Sequence, residues 1–342
     1  HTRLPLVSWG SEMCIRDSIL AMLEPMTSYD PETVRFFDVA HEGAQARVVA
    51  SAVPDLARVV SGMRPRSLVI LAADQVSRAA AHVAVGLAEP ADVPIVVSES
   101  LPRFIGALDV VVVAGESPWA ERALHDAARR GATTICLNEV EDAPDDTVVI
   151  DKLPTAEGVS PVRAIVALHA VQAVLSEDPE LVARRLEDVA EAVDREIEAL
   201  SPQRDSTTNP GRALREFAEG GRVVHSSGPD PYAFSEERTR VHLGALVARM
   251  AGAIWATHGL GGSVVDAEGL GPILEDAPTD IFHDPFEDGE PLVPLKLILW
   301  GQEEANLPHS FAAASADPSS GDLAGALQLI TRSYAATAYD VK

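Results

Sequence analysis

Several short stretches carry side chains whose types and spacing could do chemistry. "THGLGGSVVDAEG", residues 257–269, brings His258 and Glu268 into one glycine-rich segment. A histidine and a carboxylate can serve one substrate as acid and base, which makes His258 and Glu268 the candidate catalytic pair. The plainer reading of a loop histidine is a hydrogen-bonded surface residue. "HSSGPDPY", residues 225–232, puts Ser226, Ser227 and Gly228 where a strand passes into a turn. Hydroxyls and free backbone N–H groups there suit an anion, although Ser-Gly-Pro is also ordinary turn chemistry. "DVVVVAGESPWAERALHDAARRG", residues 109–131, reads as strand, tight turn and helix. Gly115 and Ser117 are its candidate donors for a bound phosphate. Glu116 suits the helix dipole but repels such a phosphate, and Trp119 adds a bulky ring.

Other stretches say less. Residues 71–81 hold a turn without glycine, in which Asp74 reads as a helix N-cap. "TDIFHDPFEDGEP", residues 279–291, gathers His283, Asp284, Glu287 and Asp288 around Phe282 and Phe286. Its spacing is irregular for ligation, so a capped loop with buried Phe anchors is expected rather than a metal site. The glycines of 257–269 do not have dinucleotide-fingerprint spacing. No Walker loop, nucleophile elbow or HExxH occurs, and no cofactor is expected.

The elements that must position these residues follow from periodicity. Asp30 and Pro31 form an N-cap pair. They predict a helix through Phe36 and Val39 towards Ala50, and a second helix through Leu56 and Val60. Continuous apolar runs at 67–71, 94–98, 108–114, 133–137 and 147–150 predict strands, with helices after the first and third. Such runs alternating with helices indicate a parallel sheet covered on both faces. Two long helices follow, at about 162–175 and 179–200. The second has a stripe of Leu181, Leu186, Val189, Val193, Ile197 and Leu200. After a polar linker at 201–211 the pattern restarts at Asn209 and Pro210. Strands are predicted at 222–226, 263–265 and 294–300, and helices at 235–254 and 321–339. The expected fold class is α/β, with two doubly wound parallel sheets joined by helices.

Length and charge narrow the function. A chain of 342 residues predicts two domains. A net charge of −25 disfavours nucleic acid as a partner. Positive charge is nearly all arginine, since the lysines are Lys152, Lys296 and Lys342 alone. Cys14 and Cys136 are too few for a disulfide framework or zinc site, and a reducing cytoplasm is the expected location. No apolar run is long enough to span a membrane. Residues 1–18 lack any period and resemble a translated sequencing-adapter scar, so they are set apart from the fold.

The chain resembles the double SIS-domain (sugar isomerase) architecture. Within it, the likeness is to the bifunctional phosphoglucose/phosphomannose isomerase family, in the actinobacterial branch called TobH-like. The likeness rests on "AHEGAQAR" (40–47), "NPGRAL" (209–214), "DIFHDPFED" (280–288) and "TRSYAATAY" (331–339). It implies an N-terminal SIS domain at 19–178, a helical connector at 179–208 and a C-terminal SIS domain at 209–342. It also implies a homodimer and aldose–ketose isomerisation of glucose 6-phosphate or mannose 6-phosphate, with Glu268 and His258 in the proton-transfer roles. In active relatives, a Ser-x-Ser-Gly-x-Thr turn wraps the sugar phosphate. Here its hydroxyl positions fall on Ala114, Glu116 and Trp119. The resemblance therefore implies degenerate phosphate loops, with a non-catalytic sensor of a sugar derivative as the alternative.

Overall fold

The computed structural model describes residues 30–88, 91–140, 142–155, 160–228, 243–275 and 293–341. Residues 1–18, the turn after Gly228 and the acidic loop 279–291 lie outside the described residues in whole or in large part.

The first half opens with two short helices, α1 (Pro31–Arg35) and α2 (Phe37–Ala40), and a long one, α3 (Glu42–Val60). The expected break near Ala50 does not occur. Helix α3 runs through Pro54, because Val49, Val53, Leu56 and Val60 are all fully buried along it. Burial of four side chains outweighs the roughly 3 kcal/mol cost of an internal proline. Strands β1 (Ser67–Ala72), β2 (Ile95–Ser98), β3 (Asp109–Ala114), β4 (Thr133–Cys136) and β5 (Val148–Val149) form an all-parallel sheet in the order β2-β1-β3-β4-β5. Its continuous apolar runs are explained by cover on both faces. Leu68, Ile70, Val110 and Val112 face one core, and Val69, Leu71, Val111 and Val113 face another. Helices α4 (Gln75–Leu87) and α5 (Pro118–Arg129) follow β1 and β3.

Helices α6 (Pro161–Val174) and α7 (Pro179–Ala199) lead to α8 (Pro210–Ala218) and a second all-parallel sheet. Its strands are β6 (Arg222–Ser226), β7 (Ser263–Val264), β8 (Leu295–Trp300) and β9 (Ser310–Ala313), in the order β7-β6-β8-β9. Helices α9 (Leu243–Thr257), α10 (Leu270–Glu275) and α11 (Asp322–Ala336) complete the described α-helices. Strand β9 is not among the sequence expectations. The apolar stripe of α7 is spent inside the chain. Leu186, Val189 and Val193 are buried and the helix packs on α3 and α11, so only Leu181 is left exposed.

One core runs through both halves, and polar ties close it. Arg212 on α8 grips Glu32 on α1 with two N–H bonds of 3.0 and 2.6 Å and lies over the Tyr339 ring. Arg332 on α11 holds the buried Glu196 on α7 at 2.8 and 3.2 Å. No helix among the described residues is long and apolar enough to cross a membrane.

Candidate functional site

In a doubly wound sheet, ligands bind beyond the carboxyl ends of the two adjacent strands whose connections leave in opposite directions. The strand orders place one such crevice between β1 and β3 and another between β6 and β8. The candidate donors Gly115 and Ser117 belong to the first crevice. Ser226, Ser227 and Gly228 belong to the second.

The first crevice is filled by the protein's own side chains. Asp74 caps α4, accepting from the Ser77 amide at 2.8 Å and from its hydroxyl at 2.7 Å. Gly115 has φ +88°, and a Cβ there would lie 2.1 Å from Asp74 Oδ2 and 2.7 Å from Ser77 Oγ. The carboxylate therefore lies against the backbone that a phosphate would approach. Ser117 is also engaged, since its hydroxyl oxygen accepts from the Ala120 amide and caps α5. Two expectations need correction here. Glu116 is not an isolated negative charge, because the Lys152 ammonium donates to it. Trp119 does not plug the turn: it packs on the face of the sheet formed by Val69, Leu71, Val111 and Val113. The obstacle to a phosphate is Asp74.

Beside this turn lies a polar cluster that the sequence reading missed. Arg163 donates to the backbone carbonyls of Leu137, Ile150 and Asp151, and burial lowers its pKa to about 10. Gln45 pairs with both the N–H and the C=O of Leu153. Glu42 is fully buried and accepts from the Val162 amide at 2.8 Å; desolvation raises its carboxyl to about 8. The hollow among Glu116, Asn138, Lys152 and Arg163 measures about 10 Å³, at the lower limit for a single water. Its cations therefore serve the fold, clamping the ends of β4 and β5. The scarcity of lysine and the charge within 40–47 were the available signals.

The second crevice has a different lining. Ser226 and Ser227 are buried at the end of β6, and Gly228 has φ +72°. The Gly228 amide donates to Ser226 Oγ at 3.4 Å, and Ser227 Oγ donates to the Gly228 carbonyl at 3.2 Å. From the end of β8, the Gln302 carboxamide donates to the Ser227 carbonyl at 2.9 Å. Helix α9 presses on the same edge: a Cβ at Gly244 would sit 2.0 Å from the Trp300 carbonyl oxygen. Two hydroxyls, a carboxamide and the Gly244 end of α9 thus meet where the first crevice holds a carboxylate. Beneath them, His225 is fully buried and accepts from Trp300 Nε1 at 3.2 Å, which places its own proton on Nε2. Desolvation lowers its pKa to about 4, so the ring is neutral near pH 7.

The pair His258 and Glu268 is not brought together within one chain. Helix α9 runs back from the carboxyl edge of the sheet, so His258 at its far end stands about 22 Å along the helix axis from Leu243. There Nδ1 of His258 lies 2.8 Å from the Ile254 carbonyl oxygen, and the ring packs at a tilt against Tyr334, 5.3 Å between centroids. Glu268 follows β7 and lies on the same sheet edge as Ser226, Ser227 and Gly228. Among the described residues no group of three or more His, Cys, Asp or Glu could hold a metal ion.

No family model matches the chain, and no curated protein matches it in sequence. Solved structures do match in fold. The C-terminal domain of glucosamine-fructose-6-phosphate aminotransferase from Francisella tularensis superposes with a TM-score of 0.56 at 12% identity, covering 88% of this chain and 92% of that one. Tagatose-6-phosphate ketose/aldose isomerase from Escherichia coli gives 0.53 at 11% identity, covering 88% and 91%. The chain has the fold of two SIS domains joined by helices, and these two neighbours are named as an aminotransferase domain and a ketose/aldose isomerase.

Proposed function

We propose that the chain binds a phosphorylated hexose, or a closely related sugar derivative, in the crevice between β6 and β8. The observation that carries this reading is the contrast between the two switch points. The carboxylate of Asp74 occupies the first, whereas the described polar side chains at the second, Ser226, Ser227 and Gln302, are neutral, although each bonds to the backbone of the turn. The finer reading is aldose–ketose isomerisation of glucose 6-phosphate or mannose 6-phosphate. Glu268 stands on the correct edge to move a proton between C1 and C2. His258 stands on the opposite edge and could join only from a second copy, so a homodimer belongs to the isomerase reading. The inward-facing α7 stripe does not supply its interface.

Calorimetry with glucose 6-phosphate and mannose 6-phosphate tests the binding, and a coupled assay for fructose 6-phosphate tests the turnover. The expected result is saturable binding of at least one sugar, weakened tenfold or more by Ser226→Val with Ser227→Ala. Turnover that is lost in Glu268→Gln supports the isomerase reading, and binding without turnover identifies a sensor. No heat of binding up to about 10 mM ligand, roughly −3 kcal/mol, would remove the proposal.

A further inference from the structure

The end of β8 brings to the second crevice a side chain whose two polar ends are told apart by the fold. Gly301 follows β8 with φ +75°, a conformation open to glycine and costly for other residues, and its amide donates to the Ala313 carbonyl at 2.8 Å. The chain turns there, and Gln302 reaches back to the turn after β6. Its Nε2 donates to the Ser227 carbonyl at 2.9 Å. Its stem lies along Gly228, where a Cβ would stand 3.4 Å from Gln302 Cγ and 3.7 Å from Cδ.

The Ser227 carbonyl can only accept, so the nitrogen end of the carboxamide is the end that meets it. The oxygen end is thereby fixed as well, and on amide bond lengths Oε1 lies within about 2.6 Å of Nε2. No described residue donates to Oε1, and it is not among the buried polar atoms that lack a partner. Gln302 is half-buried, whereas Ser226 and Ser227 are 0% and 3% exposed. Of these three side chains, Gln302 therefore keeps the surface that a ligand can touch. What it offers there is an acceptor, with the second N–H of the carboxamide beside it.

That offer separates the two ends of a phosphorylated sugar. A fully ionised phosphate carries acceptors alone, and its oxygens would stand against the lone pairs of Oε1. A ring hydroxyl both donates and accepts, so it satisfies the carboxamide oxygen and leaves nothing opposed.

Resting on the reading that this crevice takes a phosphorylated sugar, we propose that Gln302 determines which sugar is held. Its carboxamide oxygen accepts from a ring hydroxyl, so the phosphate lies towards the turn after β6 and the hydroxylated ring towards the end of β8. The ligand class is a sugar phosphate with a hydroxyl at the ring position that meets Gln302. A sugar without that hydroxyl leaves the oxygen unpaired and is rejected, since a polar group left without its partner is a strong source of discrimination.

The test pairs changes in the ligand with changes in the residue. The probes are whichever of glucose 6-phosphate and mannose 6-phosphate binds more tightly, its 1,5-anhydro analogue and its 2-, 3- and 4-deoxy analogues, titrated by calorimetry into the intact chain. The variants are Gln302→Met, which loses both polar ends, and Gln302→Lys, which keeps a donor for the Ser227 carbonyl and loses the acceptor. Circular dichroism checks their fold, and the lysine variant decides the matter if the methionine one does not fold. The expected result is that one analogue binds the parent at least tenfold more weakly than the full sugar, and that this gap falls to within twofold in the variants. A gap that persists in the folded variants would overturn the proposal, because Gln302 would then only prop the turn. Equal binding of every analogue by the parent would overturn it too, while leaving the crevice as a sugar-phosphate site. Absence of binding by the parent to any of the sugars would remove that site and this inference with it.

Discussion

Replacing Glu42 by Gln should remove a large pH dependence from folding. Glu42 is 1% exposed on α3, accepts from the Val162 amide at the start of α6, and has its carboxyl raised from 4.5 to about 8, first by desolvation. Its folded pKa lies above its unfolded one, so between these values the folded state holds the extra proton. Stability from this group is complete below pH 4.5 and drains away as pH rises towards 8. Integration between pH 5.5 and 8.5 with these two values gives a loss of about 3 kcal/mol. Glutamine keeps an acceptor for the Val162 amide and does not titrate. Urea unfolding at half-unit steps from pH 5.5 to 8.5 measures both proteins. The difference in unfolding free energy should shift by about 3 kcal/mol in favour of the variant as pH rises. Parallel curves would show that Glu42 reaches water or is ionised in the folded state, which would refute the reasoning.

Further outcomes follow from other contacts. Gly115→Ala should destabilise by about 2–3 kcal/mol, from strained backbone and a displaced Asp74 cap; the cost should shrink in an Asp74→Gly background, as a thermal double-mutant cycle can measure. Arg212→Met should cost about 3–5 kcal/mol in urea unfolding, because Glu32 is left buried without its partner. Lysine at 212 should recover only part, lacking the two-pronged grip. The folded pKa of His225 lies below its unfolded value of 6.5, so the stability it confers is lost as pH falls from 6.5 towards 4, by up to about 3 kcal/mol. Thermal melts across that range should be flatter for His225→Gln.

Much of this architecture is legible in the sequence, for a physical reason. Val110 to Val113 can all be apolar only where both faces of a strand are covered, so the run itself announces a parallel sheet. Strand β9 is not legible, because Ala312 and Ala313 carry no strand preference and the segment is held by pairing with β8. The N-cap role of Asp74 can be read from the local sequence. Its reach over Gly115 cannot, since that depends on the register of β1 against β3. Three of the stretches that carry the family resemblance hold structural ties. Glu42, Arg212 and Arg332 join helices that are far apart along the chain, and the Arg212–Glu32 pair spans 180 positions. No short-range spacing reveals such partners.

If the β6–β8 crevice takes a sugar phosphate while Asp74 closes the β1–β3 crevice, a bound phosphate will be found in the one and not the other. A crystal structure of the chain grown with glucose 6-phosphate tests it most directly. Phosphate density is expected against Ser226, Ser227 and the Gly244 end of α9, with Asp74 still bonded to Ser77. Phosphate density between Asp74 and Ser117, with the Asp74 carboxylate swung away from Gly115, would contradict it.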